Sequence, residues 1–187
     1  LLKTVIVASA NDSAVALAEH LAGAEEAFVK RMNARADELG LQNTHYVNCT
    51  GLPAPDHYTT ARDVAKLSAQ LDLHPLYYRY STIWMDEIRH RGGRVTALTN
   101  TNRLVRFYPG CDGYKTGSTN EARYCISATA KKDGMRLIAV VLGTPAGQTR
   151  FDEARAMLEY GFANVKLVTP IAQGQPLDMT VPVRLGG

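Results

Sequence analysis

Two short clusters place polar groups where packing alone would not ask for them. Ser9-Ala10-Asn11 sets a hydroxyl and an amide two positions apart, directly after an apolar stretch. Asp112-Gly113-Tyr114-Lys115-Thr116-Gly117-Ser118-Thr119 puts a cation, hydroxyls and glycines into one extended run. Lys115 supplies a point charge for a carboxylate, and Gly117 lets a ligand come close to the backbone. Each cluster also has a plain structural reading. The first is an ordinary helix N-cap; the second is an edge strand whose lysine discourages edge-to-edge pairing. Histidine offers no rival chemistry: His20, His45, His57, His74 and His90 show neither H-E-x-x-H nor paired metal-ligand spacing. Cys49, Cys111 and Cys125 are odd in number and contain no C-x-x-C pair, so buried free thiols are expected and no metal site.

These clusters need elements to hold them. Leu1 to Ala8 is apolar, Ser9 to Ser13 are residues that favour N-caps, and Ala14 to Ala22 has helical spacing, so a polar tip joins two helices. Glu25 to Leu39 resumes the period, with Gly40 as its C-terminal stop. Residues 41 to 58 are dense in turn formers and predict a long ordered loop. Thr60 to Asp63 resembles a capping box and opens an amphipathic helix that ends near His74-Pro75. After Tyr80 the pattern becomes extended. Thr82 to Ile88 and Val95 to Thr99 flank Arg91-Gly92-Gly93-Arg94 as a hairpin. Asp112 to Thr119, Tyr124 to Ala130 and Met135 to Leu142 are further strands, the last two joined by Asp133-Gly134. Arg150 to Phe162 then returns to helical spacing. Helices, an antiparallel sheet and a closing helix make an α+β, layered α/β class.

The 187 residues are 45% hydrophobic and 21% charged, a globular composition for about one domain. Lys and Arg number 21 against 18 Asp and Glu, a net charge of +3, too small to argue for nucleic acid. Arg89, Arg91, Arg94, Arg103 and Arg106 are interrupted by apolar residues and read as a solvated face. No apolar run is long enough for a membrane span. The chain opens without Met and already inside an element, so an N-terminal segment is expected to be missing. A boundary is expected near residue 164, with residues 1–163 as one domain and residues 164–187, punctuated by Pro170, Gly174, Pro176 and Pro182, as the start of a C-terminal β-rich module.

Taken together and in this order, S-x-N followed by K-T-G resembles the motif set of the active-site-serine penicillin-interacting enzymes. The run Ser9 to His20 is similar to the S-G-N-D-A segment of the low-molecular-weight penicillin-binding proteins, the serine-type D-alanyl-D-alanine carboxypeptidases. Phe28 to Asn33, Leu39 to Asn48, Gly51-Leu52, His57 to Asp63, Asp112 to Gly117 and Met135 to Gly143 resemble the same family. The resemblance covers about residues 1 to 163. It implies a β-lactamase/transpeptidase-like fold, an antiparallel sheet with a helical subdomain, with residues 1–163 as a partial catalytic domain that lacks its N-terminal part.

It also implies roles. Ser9 would relay a proton toward the departing D-alanine, and Asn11 would hold the substrate amide and the general-base lysine. Lys115 and Thr116 would bind the terminal carboxylate, and the backbone N–H of Ser118 would donate into an oxyanion hole. Gly117 and Thr119 would border the substrate. Arg150 stands where the family has an arginine, and at a helix start its charge and the helix N-terminus both favour a carboxylate. The bland alternative for Arg150 is a surface residue. Ala10 replaces the family's usual Gly, and Ser118 its frequent His, which touches only backbone or steric roles.

The family nucleophile, the Ser of S-x-x-K, has no counterpart in this sequence. The residues three before Lys30, Lys66, Lys115, Lys131, Lys132 and Lys166 are Ala27, Asp63, Asp112, Ala128, Thr129 and Ala163. The implied reaction is removal of the terminal D-alanine from peptidoglycan stem peptides, without cofactor or metal, with β-lactams as second ligands. A D,D-endopeptidase or β-lactamase on the same fold, and a non-catalytic peptidoglycan-binding module, are the alternatives. The implied place is the bacterial cell envelope, outside the cytoplasm, with any membrane anchor on a segment absent here. An apolar face is expected to need covering, either by the missing N-terminal segment or by another chain.

Overall fold

The computed structural model describes residues 1–168; the expected C-terminal module of residues 164–187 therefore falls largely outside the described residues. The order is α1 (Leu2–Ala8), α2 (Asn11–Ala22), α3 (Glu25–Glu38), α4 (Ala61–Leu71), α5 (Pro75–Ser81), β1 (Met85–Arg89), β2 (Val95–Thr99), α6 (Leu104–Phe107), β3 (Cys111–Thr119), β4 (Arg123–Lys132), β5 (Met135–Thr144) and α7 (Thr149–Asn164). The class read from the pattern is the one observed: a helical region, then antiparallel strands, then a helix on the sheet.

Strands β3, β4 and β5 form a three-stranded antiparallel sheet in sequential order, and β1 with β2 forms a separate hairpin. At the β4–β5 turn both Asp133 (φ 50°) and Gly134 (φ 81°) are left-handed, the requirement of a two-residue turn that matches strand twist. On one face of β4, Ile126, Ala128 and Ala130 alternate inward and meet Phe151, Ala154 and Leu158 of α7, with Leu104 and Tyr108 closing the core. Each large side chain buried this way contributes about 1.5–3 kcal/mol. The helix lies close to the sheet at Gly161, where a Cβ would stand 2.6 Å from Leu137 Cδ1. The other face of β4 is polar at Ser127, whose Oγ lies 2.7 Å from Ser68 Oγ of α4.

Several boundaries differ from the sequence reading. Helix α2 starts at Asn11 rather than Ala14, and its N-cap is Ala10 with no side-chain cap, so the hydroxyl and amide of Ser9 and Asn11 are not spent on capping. Pro75 does not simply end a helix. It opens α5, where a proline in the first turn loses no hydrogen bond. Strand β1 begins at Met85 rather than Thr82, and α6 is an additional short helix. The capping box at α4 is half formed. Thr60 Oγ1 accepts from the Asp63 N–H, but the Asp63 carboxylate instead accepts from Asn43 N and Thr44 Oγ1. Cys49, Cys111 and Cys125 are all free thiols, but the expected burial holds for Cys111 alone; Cys49 in the 41–60 loop and Cys125 near the start of β4 are half-buried.

The 41–60 loop is fixed by directional polar contacts rather than by a core. Asn33 of α3 donates to Tyr46 O and accepts from Tyr46 N, both at 2.8 Å. His45 and Tyr58 pair as an antiparallel bridge, and Asn48 Oδ1 accepts from Thr50 and Gly51 N–H groups. Phe28, Met32, Leu41, Tyr46 and Leu67 line an apolar groove of about 650 Å³ beside α3.

Candidate active site

Between the tip of α1–α2 and the edge of β3 lies a cleft of about 700 Å³. It is lined by Ser9, Asn11, Lys115, Thr116, Gly117, Ser118, Thr119 and Arg150, so all eight residues singled out from the sequence face one space. Its further walls come from the loop, through Tyr46, Asn48 and His57, and from Thr101.

Ser9 sits at the end of α1 in the left-handed conformation (φ 57°, ψ 41°). This strained position for a non-glycine residue turns the chain sharply into α2 and leaves Ser9 Oγ facing β3. There it accepts a hydrogen bond from Lys115 Nζ at 2.7 Å, across 106 residues of sequence. Lys115 Nζ also donates to Thr116 O at 2.8 Å. Burial, with the Arg150 charge as the second cause, brings the Lys115 ammonium down to about 8. Among the described residues no carboxylate pairs with it. A desolvated cation without an acidic partner is a receptor for an anion.

Thr116 is buried and donates to Thr101 Oγ1 at 2.7 Å. At Gly117 a Cβ would meet nothing within 4 Å, so the cleft side of the strand is open there. Ser118 is exposed, and Thr119 Oγ1 is engaged by the Ala122 N–H at 2.9 Å, which holds the β3–β4 turn. Arg150, in the first turn of α7, donates from Nη1 to Gly117 O at 3.0 Å and lies against the Tyr124 and Phe151 rings. Its Nε is buried without a partner. Burial comes first in lowering the Arg150 pKa. Asn11 is exposed in the cleft wall, and no hydrogen bond engages its side chain among the described residues.

Sequence reading missed Thr101. Its signal was the polar run Asn100-Thr101-Asn102 between two extended segments. Asn100 donates to Ser81 O and Ile83 O, Asn102 donates to Gly113 O, and Thr101 N donates to Val7 O. This buried hub ties α1, α5 and β3 together, which sets the Ser9–Lys115 distance. His57 borders the cleft as well, its pKa lowered by burial and then by the charge of His45. Among the described residues no group of three or more His, Cys, Asp or Glu is placed to hold a metal ion.

A lysine-bearing strand edge facing a serine at a helix tip, under an antiparallel sheet backed by a helix, is the arrangement of the penicillin-interacting transpeptidase-like enzymes. Residues 1–146 match the family model described as D-alanyl-D-alanine carboxypeptidase, and the chain belongs to that family. It is 44% identical over 163 residues to the D-alanyl-D-alanine carboxypeptidase DacF of Bacillus subtilis, covering 87% of this chain and 42% of that protein. The structure of the D-alanyl-D-alanine carboxypeptidase DacD from Francisella tularensis superposes with a TM-score of 0.83 at 29% identity, over 87% of this chain and 51% of that one. Penicillin-binding protein D2 from Listeria monocytogenes, in its cefotaxime-bound form, gives 0.75 at 33% identity over 86% and 64%. The chain thus spans less than half the length of the Bacillus subtilis relative.

Proposed function

We propose that this chain supplies the S-x-N and K-T-G walls of a serine D-alanyl-D-alanine carboxypeptidase acting on peptidoglycan stem peptides. The observation that carries the reading is the 2.7 Å contact of Lys115 Nζ with Ser9 Oγ inside a cleft that offers cations and no anion to a ligand. The names of the relatives, and the β-lactam in one of them, support the same substrate and inhibitor classes. Residues 1–163 serve as part of the catalytic domain, and the site of action is the bacterial envelope. Among the described residues no helix is long and apolar enough to cross a membrane.

In this reading the terminal carboxylate of the stem peptide is held by Lys115 and Arg150, and by the Thr116 hydroxyl once its proton turns from Thr101 Oγ1 to the carboxylate. A serine oxygen, borne on an S-x-x-K segment outside this sequence, attacks the carbonyl carbon of the penultimate D-alanine. Its proton passes to the base lysine, and the developing oxyanion takes a hydrogen bond from the Ser118 backbone N–H. The amide C–N bond then breaks. The departing amine of D-alanine takes a proton through Ser9, and Asn11 keeps the substrate amide and the base in register. Water hydrolyses the acyl ester and restores the serine.

Intact mass spectrometry after incubation with a penicillin tests the assignment. The 187-residue chain is expected to gain no covalent adduct, and a longer natural protein containing S-x-x-K to gain one per molecule. A stoichiometric adduct on the 187-residue chain would overturn it.

A further inference from the structure

Lys115 stands on the strand that forms the cleft wall, whereas Arg150 reaches the cleft from the first turn of α7 and has to be held there. Its hydrogen bonds do little of this. Among the described residues only Nη1 is engaged, donating to Gly117 O at 3.0 Å and to Cys125 O at 3.4 Å, while Nε is buried without a partner. No carboxylate pairs with the guanidinium among the described residues. Two aromatic rings remain. Arg150 Cζ lies 4.8 Å from the centroid of Phe151 and 5.5 Å from that of Tyr124. Phe151 is buried in the shared core and has contacts of its own there. Tyr124 lies outside that core and is 37% exposed, so core packing does not account for it. The backbone nevertheless fixes its place. Against β5 the register shifts between Tyr124 and Ile126, the kind of irregularity that re-aims a side chain beside a site. Thr144 Oγ1 donates to Tyr124 O at 3.1 Å, and the approach to α7 runs close along the ring, where a Cβ on Gly147 would stand 3.4 Å from Tyr124 Cε1.

We propose that Tyr124 is a positioning residue for carboxylate recognition, its ring holding the Arg150 guanidinium at the cleft wall. The inference rests on the carboxypeptidase reading, in which Arg150 receives the terminal carboxylate. The physical reason is charge. Arg150 and Lys115 are like charges lining one cleft, and burial opposes the charged form of both, so a long flexible arginine side chain lowers its energy by swinging out to water. An acidic partner would stop that motion, but it would also neutralise the guanidinium and compete with the ligand for its N–H groups. An aromatic ring attracts the cation through its quadrupole, brings no formal charge and takes none of the in-plane donors. Tyr124 thus fixes the guanidinium and leaves its charge and its free N–H groups to the ligand. Because the carboxylate is bound alike in the ground state and in the acylation transition state, the contribution belongs in KM rather than in kcat.

The test is a double-mutant cycle in a longer natural protein that carries the serine, with a peptide ending in D-Ala-D-Ala as substrate. Tyr124→Leu is expected to raise KM by about fivefold with kcat changed by less than about twofold, and Tyr124→Phe, which keeps the ring, to stay within about twofold of the parent in both. Arg150→Gln is expected to raise KM by about tenfold. In the Arg150→Gln background Tyr124→Leu is expected to add less than about twofold, because the ring then has no cation to hold. Urea denaturation of each variant separates folding from function, and Tyr124→Gln is a second ring-free variant to use if Tyr124→Leu does not fold. Losses that multiply in the double variant, an equal loss in Tyr124→Phe, or an unchanged KM in Tyr124→Leu would overturn the positioning role alone. An unchanged KM in Arg150→Gln would overturn the Arg150 contact and the positioning role with it, and no cleavage by the parent protein would overturn the carboxypeptidase reading itself.

Discussion

In the sheet half of the molecule, β3–β5 with α6 and α7, Ile126, Ala128, Ala139, Phe151, Ala154 and Leu158 share one continuous apolar core. The helical half is held differently. Its buried apolar residues are scattered, Ile6 and Val7 on α1, Ala18 on α2, Val29 and Ala36 on α3, and the loop against them hangs on the Asn33–Tyr46 pair and the Asp63 carboxylate. Apolar burial is non-directional and cumulative, whereas each polar tie fixes one position and costs the desolvation of its partners if broken. Lys115 to Ser118 ride on the first kind of structure, Ser9 and Asn11 on the second. The catalytic geometry is therefore expected to depend on the sheet half for its existence and on the helical half for its alignment.

The largest effect that would sharpen this contrast is on stability. Leu158→Ala removes a fully buried side chain from the shared core and is expected to cost about 2–5 kcal/mol in urea denaturation. A loss no greater than that of Val29→Ala in the helical half would break the comparison.

Next is the contact between the halves. In a longer protein carrying the serine, Lys115→Ala is expected to slow penicillin acylation and peptide turnover by ~10²-fold, because a preorganised charge is removed from the carboxylate site. Unchanged acylation would reduce Lys115 to an edge-strand charge.

Asp63→Ala leaves Asn43 N–H and Thr44 Oγ1 without their acceptor, an expected loss of about 1–3 kcal/mol. Hydrogen exchange should show that loss concentrated in residues 41–60, with β3–β5 amides still protected. Uniform loss of protection would mean that the two halves unfold as one unit.

The smallest effect is on pH dependence. With Lys115 at about 8, kcat/KM for a carboxylate-terminated peptide, measured on a longer protein carrying the serine, should fall by roughly tenfold per unit above that value. Stability moves the other way. An unfolded lysine titrates near ~10.4, so between the two values the unfolded chain binds more protons, and the cost of burying this ammonium is relieved as pH rises. Activity and stability profiles recorded from pH 7 to 10 should therefore diverge, and parallel profiles would argue against a desolvated Lys115.

Much of the architecture was legible in the residues themselves. The Asp133-Gly134 turn, the period-two strands around it and the α7 spacing are local signals, and they specify β4, β5 and α7 to within a few positions. The helical half was read less well where local signals mislead. Pro75 marks a helix start as readily as a stop, and the Ser9–Ser13 cluster carries cap-forming residues although the N-cap is Ala10.

The sequence by itself determined which residue types are available at Ser9, Asn11, Lys115 to Thr119 and Arg150, and that no serine stands three before a lysine. Only the tertiary structure decided that these groups share one cleft, that Lys115 is desolvated, and that Thr101 holds Thr116. The reason is physical. Periodicity and turn chemistry act over a few residues, while the desolvation of a charge and the meeting of a serine with a lysine 106 positions away depend on how whole elements pack.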